Sequence, residues 1–191
     1  MMLVVASRNE NKLREIQKLA PDGFNLVSLR KLSITVKAPE EGDSFIQNAI
    51  SKAIFYGNLL MKPVVADDSG LVIDALGGFP GVLSARFMKN HPYIEKMKTI
   101  IKMLKNKEKT ARFVCTAAFW NPESKVLLCC EGSVEGIISE DIRGNSGFGY
   151  DPFFIPEGFD KTFGELGEEK HKISHRSRAF KQLFENLSKM V

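Results

Sequence analysis

Up to about residue 104 the chain alternates short apolar runs with amphipathic helical stripes, and beyond residue 112 apolar runs follow one another with brief polar breaks. Helices interleaved with strands early, then strands clustered late, specify an α/β chain with a mixed sheet. The run Leu3 to Ala6 leads into the polar segment Ser7-Arg8-Asn9-Glu10-Asn11-Lys12 and a helical pattern through Leu13, Ile16 and Leu19 that stops at Pro21-Asp22-Gly23. A second helix is capped by Ser44, and its stripe is Phe45, Ile46, Ala49, Ile50, Ala53 and Ile54, with Asn48 and Lys52 beside it. Ile94, Met97, Ile100, Ile101 and Leu104 mark a third, lysine-rich on its other face, and Ala179, Phe180, Leu183, Phe184 and Leu187 a last one. Phe113 to Trp120, Val126 to Cys130 and Val134 to Ile138 read as an antiparallel meander broken at Asn-Pro-Glu-Ser and Glu-Gly-Ser.

No Pro/Gly/Ser-rich linker divides the 191 residues, so a single domain over 1–191 is expected. The net charge of +4, from 27 basic and 23 acidic residues, favours anionic ligands only weakly and falls short of a nucleic-acid-binding composition. Three cysteines, Cys115, Cys129 and Cys130, form no C-x-x-C and suggest neither a disulfide framework nor a zinc cage. With no leader pattern and no apolar run long enough to cross a bilayer, a cytoplasmic protein without a membrane or nucleic-acid partner is expected.

Within the strand-like stretch Val64-Val65-Ala66, the apolar pattern gives way to Asp67-Asp68-Ser69-Gly70 before resuming at Leu71-Val72-Ile73. Ionised carboxylates in apolar surroundings are costly unless paired, hydrogen-bonded or metal-bound. Together with Glu40 and Glu41 they offer hard oxygen ligands for Mg²⁺; equally, Asp67 and Asp68 open a turn with Ser69 and Gly70. The Ser7 to Lys12 segment, with donors ahead of a helix N-terminus, suits a phosphate, although it matches neither G-x-x-x-x-G-K-[ST] nor G-x-G-x-x-G. Arg176, after Ser174 and His175 at the start of the last helix, is a cation where the macrodipole favours anions, which asks for a negative or carbonyl-rich neighbour. Phe148-Gly149-Tyr150-Asp151 offers either an aromatic face for a base, with Asp151 accepting a hydrogen bond, or a loop anchored by buried rings.

Taken in order, seven segments resemble the inosine triphosphate pyrophosphatase family: Ser-Arg-Asn-Glu-Asn-Lys at 7 to 12, the acidic pair before Gly42, Phe-Ile-Gln-Asn-Ala-Ile-Ser-Lys-Ala at 45 to 53, Ala-Asp-Asp-Ser-Gly-Leu at 66 to 71, Leu-Gly-Gly-Phe-Pro-Gly at 76 to 81, Phe-Gly-Tyr-Asp-Pro at 148 to 152 and Ser-His-Arg at 174 to 176. The resemblance implies an elongated mixed sheet flanked by helices, in two lobes with the active site in the cleft between them, and a homodimer. It implies Mg²⁺-dependent hydrolysis of ITP, dITP and XTP to the monophosphate and pyrophosphate, removing them from the nucleotide pool. In that reading Ser7, Arg8, Asn9, Glu10, Asn11 and Lys12 hold the triphosphate with Lys52 and Lys170. Asp68 with Glu40 or Glu41 binds the metal, and Asp68 is also the general base. Ser69 contacts substrate, and Phe148, Gly149, Tyr150, Asp151, His175 and Arg176 surround the base.

The chemistry is coherent, because water attacking the α-phosphorus builds negative charge that a metal and lysines stabilise while a carboxylate orients the water. Two other readings stand beside it: a pyrophosphatase for other modified nucleotides, and a non-catalytic nucleotide- or RNA-binding module.

Overall fold

The computed structural model describes residues 1–190. In chain order the elements are β1 (Met2–Val5), α1 (Glu10–Leu19), β2 (Asn25–Ser28), α2 (Phe45–Leu60), β3 (Val64–Ile73), α3 (Tyr93–Met103), β4 (Thr110–Asn121), β5 (Val126–Ile138), β6 (Phe154–Pro156), α4 (Phe163–Leu166), α5 (Lys170–Ile173) and α6 (His175–Ser188). They build a six-stranded sheet in the order β2-β1-β3-β4-β5-β6. Strand β1 runs parallel to both β2 and β3, whereas β5 and β6 are antiparallel, so the sheet is mixed as the element order predicts.

The chain packs into two compact units, one formed by 1–68, 115–132 and 175–191, the other by 69–114 and 133–174. In the first, strand alternation sorts side chains to two faces. Leu3, Val5, Val65, Cys115, Ala117 and Phe119 pack with Leu13 and Ile16 of α1 and with Ala179, Phe180, Leu183 and Phe184 of α6. Val4, Ala6, Val64, Ala66 and Ala118 pack with Ala49, Ala53 and Tyr56 of α2. Covered on both faces, these strands read as continuous apolar runs. The second unit has its own core, in which Leu71, Ile73, Phe113, Val134 and Ile138 meet Met97, Ile100 and Leu104 of α3 and a ring cluster of Tyr150, Phe153, Phe154 and Phe163.

Two sequence expectations are corrected. Glu131-Gly132-Ser133 does not break the meander, because β5 runs unbroken from Val126 to Ile138. Gly132 serves a different need: a Cβ there would collide with the His175 carbonyl and the Ala179 amide, so its bare backbone lets α6 approach the strand. Nor do Asp67 and Asp68 open a turn; they lie inside the ten-residue strand β3. All three cysteines are free thiols, and burial pushes Cys129 up to about 11. Among the described residues no helix is long and apolar enough to cross a membrane.

Candidate active site

Consecutive residues of a strand point to opposite faces, so β3 sends Asp67 toward α1 and α6 and Asp68 toward α2. Asp67 is 1% exposed. Its Oδ2 lies 2.9 Å from Lys12 Nζ and 3.3 Å from Arg176 Nη2. Burial alone would raise this carboxyl, but Lys12, Arg176 and Lys52 overcome that penalty and hold it well below the usual range. Arg176 is equally buried and its Nη1 donates to Glu15 at 2.5 Å. The negative partner that a cation at a helix start requires is therefore supplied by Asp67 and Glu15. Desolvation works against the guanidinium charge, yet those two carboxylates raise its pKa further.

On the other face, one turn of α2 carries Asn48 and Lys52, both buried. Residues four apart share a helix face. Asn48 Nδ2 donates to Asp68 Oδ2 at 3.0 Å, while Lys52 Nζ donates to the Asp67 carbonyl at 3.0 Å and lies 2.6 Å from Glu40 Oε1. Burial disfavours the Lys52 charge, but Asp67, Glu40 and Asp68 outweigh it and raise its pKa. Asp68 moves the opposite way from its neighbour: burial dominates and raises it, against the pull of Lys52 and Lys12. It is only half-buried, and Asn48 supplies its one hydrogen bond among the described residues.

The Ser7 to Lys12 segment joins β1 to α1. Asn9 caps the helix, its Oδ1 accepting from the amides of Asn11 at 3.0 Å and Lys12 at 3.3 Å, and Ser7 Oγ accepts from the Asn9 amide. The cap aims Lys12 at Asp67. Exposed Arg8 donates to the carbonyls of Val36 and Ile34, exposed Glu10 faces Arg30 at 3.6 Å, and Asn11 is exposed. Glu41, beside Glu40, is exposed, and His175, next to Arg176, is buried.

Ser69, Phe148, Gly149, Tyr150, Asp151 and Lys170 belong to the second unit. Asp151 folds back so that its Oδ2 accepts from the Phe148 amide at 2.8 Å and meets Lys170 Nζ at 2.7 Å, both charged groups being almost wholly buried. The Lys170 ammonium lies 5.1 Å from the Phe148 ring centre, within cation–π range. Gly147, at φ +76°, is required here because a Cβ would run into Asp151. Tyr150 is 3% exposed, donates to the Ser84 carbonyl at 3.1 Å and meets Tyr93 edge-on, so its ring anchors the loop. Ser69 is half-buried.

In the first unit the structure thus brings together Lys12, Lys52, Glu40, Asp68 and Arg176; in the second, Phe148, Asp151 and Lys170. The sequence reading assigned no role to Asn48 or Glu15, and it offered Asp67 with Asp68 as an oxygen ligand for Mg²⁺, whereas the Asp67 carboxylate is paired with Lys12 and Arg176. Asn48 carries one signal, its place four residues before Lys52 beside the apolar stripe. Glu15 carries none, since its partner lies 161 positions away. Chemically, the cluster holds two ammonium groups, on side chains 17% exposed for Lys12 and 10% for Lys52, able to share their charge with a polyanion next to a carboxylate met by an amide.

The Ham1 family model matches residues 3–186. A Bacillus subtilis protein named dITP/XTP pyrophosphatase is 44% identical over 188 residues, covering 94% of this chain and 93% of its own. One of the same name from Dictyoglomus thermophilum is 40% identical, covering 95% and 92%. Among solved structures, a HAM1 protein from Coxiella burnetii superposes with a TM-score of 0.90 at 35% identity over 99% of both chains. The Staphylococcus aureus Ham1 protein does so with 0.90 at 34% over 100% of both.

Proposed function

The chain belongs to the Ham1 family, and from that membership and the site above we propose that it is a nucleoside triphosphate pyrophosphatase. Its substrates are the non-canonical purine nucleotides dITP, XTP and ITP, which it cleaves to the monophosphate and pyrophosphate. The observation that carries the reading is the contrast on β3: Asp67 is fully compensated by cations, whereas Asp68 beside it is half-exposed, raised by burial and left with an amide donor. A carboxylate in that state suits a general base that orients and deprotonates water for attack on the α-phosphorus. Lys12 and Lys52 hold phosphate oxygens as charge builds on them, and the N-terminus of α1 adds its positive end.

The donors also fit Mg²⁺. Among the described residues no three His, Cys, Asp or Glu side chains form a cage, but Mg²⁺ needs only one or two carboxylates besides water and substrate phosphate. Asp68 Oδ1 accepts no hydrogen bond among the described residues, and Glu40 is 44% exposed, so both have oxygen lone pairs to give. Glu40, tied into the cluster by Lys52, is the favoured second donor and Glu41 the alternative. The bound ion would neutralise charge on the triphosphate and the departing pyrophosphate.

For the base, the proposed set is Phe148, Gly149, Tyr150, Asp151, His175 and Arg176, with Ser69 and Lys170 also contacting substrate. Donors aimed at a 6-oxo group accept inosine and xanthosine and face an amino group in adenosine, which strongly discriminates. The proposed working form is a cytoplasmic homodimer. The test is pyrophosphate release from ITP, XTP, dITP, ATP and GTP, with Mg²⁺ and with EDTA. Fast release confined to the inosine and xanthosine nucleotides and abolished by EDTA is expected; no release, or equal release from all five, overturns the proposal.

A further inference from the structure

Asn48 is 1% exposed and uses both ends of its amide. Its Oδ1 accepts from the Gly42 amide at 2.9 Å, and its Nδ2 donates to the Gly42 carbonyl at 3.3 Å and to Asp68 Oδ2 at 3.0 Å. These contacts fix which way the amide lies. A backbone N–H can only donate, so the oxygen must face Gly42 and the NH₂ must face Asp68. Gly42 is fitted to the arrangement, since a Cβ there would stand 2.9 Å from Asn48 Oδ1. One buried side chain on α2 therefore holds the segment that follows Glu40 and Glu41 and, with the same group, one oxygen of Asp68.

We infer that Asn48 is a positioning residue for the reaction, clamping the Glu40 to Gly42 segment and the Asp68 carboxylate into one fixed arrangement so that Asp68 Oδ1 is the oxygen presented to water. This rests on the pyrophosphatase reading. In this role Asn48 acts through Asp68 and Gly42. Lys52, one turn further along α2, fixes the other side of the group through the Asp67 carbonyl and Glu40, so the two carboxylates are registered to one helix turn. Groups that orient metal-binding side chains typically matter by 10- to 100-fold in affinity or activity.

Two variants test the inference. Asn48→Asp keeps the acceptor for the Gly42 amide and the side-chain volume but replaces the neutral donor to Asp68 with a second carboxyl group, which either repels Asp68 as an ion or shares a proton with it. Gly42→Ala leaves Asn48 and Asp68 chemically intact and pushes Asn48 out of register. For each, kcat and KM for dITP, thermal unfolding, and calorimetric binding of a non-hydrolysable dITP analogue are measured beside the unaltered protein. The expected result is a kcat lower by about 10- to 100-fold, with analogue binding and KM changed far less and the folded fraction kept. Unchanged kcat in both variants, or a loss of turnover that only tracks the loss of folded protein, overturns the role. If the unaltered protein releases no pyrophosphate, it is the pyrophosphatase reading that fails, and that control separates the two.

Discussion

On the α1 and α6 face of β3, Asp67 is wholly enclosed and meets Lys12 and Arg176; on the α2 face, Asp68 is half-buried and is met by the Asn48 amide. The residue type and the strand are the same, so the difference lies in how far each face is enclosed and in which helices supply cations. Helix α6 brings a guanidinium whose second carboxylate partner is Glu15, and α1 brings Lys12. Helix α2 brings an uncharged amide to Asp68 and directs its own ammonium, Lys52, to a backbone carbonyl and Glu40. One face thus ends as a closed ion network that organises the fold, and the other as a half-buried carboxylate met by an amide.

The largest effect expected to break the comparison is on turnover. Asp68→Asn keeps the shape and an oxygen to accept from Asn48 but removes the proposed base, a role worth about 10²- to 10⁴-fold. Pyrophosphate release should fall by that much while urea unfolding shows no loss of stability, because the group removed is one that burial disfavours as an ion. Near-normal release would move the chemistry away from the α2 face.

Next in size is a stability effect from the opposite face. Arg176→Met leaves Asp67 and Glu15 buried without their shared cation; breaking a buried pair in this way costs about 3–5 kcal/mol. Chemical denaturation of the variant should show it. A cost below about 1 kcal/mol, the range of exposed pairs, would mean that the network is far more hydrated than its burial indicates. The same variant, assayed at a temperature where it is folded, also reports on the proposed part of Arg176 in base choice, since a purely structural arginine would alter all nucleotides alike.

Much of this was legible in the sequence, for identifiable reasons. Helices α2, α3 and α6 each carry enough turns for a 3.6-residue stripe to show, and the Asp67-Asp68 pair stood out as charge within an apolar strand. Alternation says that the two must face opposite ways, but which face holds the cations depends on Arg176, which is 109 positions from Asp67. Strand β2 and helices α4 and α5 have four residues each, too few to display a period. Gly132 was misread because a glycine that admits a neighbouring helix and one that ends a strand look the same without the neighbour. Glu15 sits between Leu13 and Ile16 on α1 and takes its meaning entirely from Arg176.

The smallest effect is also the one that sets the two aspartates most directly against each other, in the pH dependence of stability. Asp67 has its pKa lowered on folding from a reference of 3.8, so the stability it contributes is fully present above that value and is lost as pH falls toward its folded value. Asp68 has its pKa raised from the same reference, so it favours the folded state below 3.8 and that contribution is lost as pH rises through its folded value. The two slopes have opposite signs on either side of 3.8, that of Asp67 rising with pH below it and that of Asp68 falling with pH above it, each bounded by about 1.4 kcal/mol per pH unit for one proton. Urea unfolding at steps of pH below neutrality, on Asp67→Asn and Asp68→Asn beside the unaltered protein, resolves them. Absolute stability falls in Asp67→Asn because Lys12 loses its buried carboxylate partner and Arg176 one of its two, so the slope is the quantity to read. Below 3.8 the rise of stability with pH should flatten in Asp67→Asn, and above 3.8 the fall contributed by Asp68 should disappear in Asp68→Asn; equal slopes in both variants on both sides of 3.8 would show that the two faces of β3 titrate alike, against the asymmetry that Lys12 and Arg176 impose.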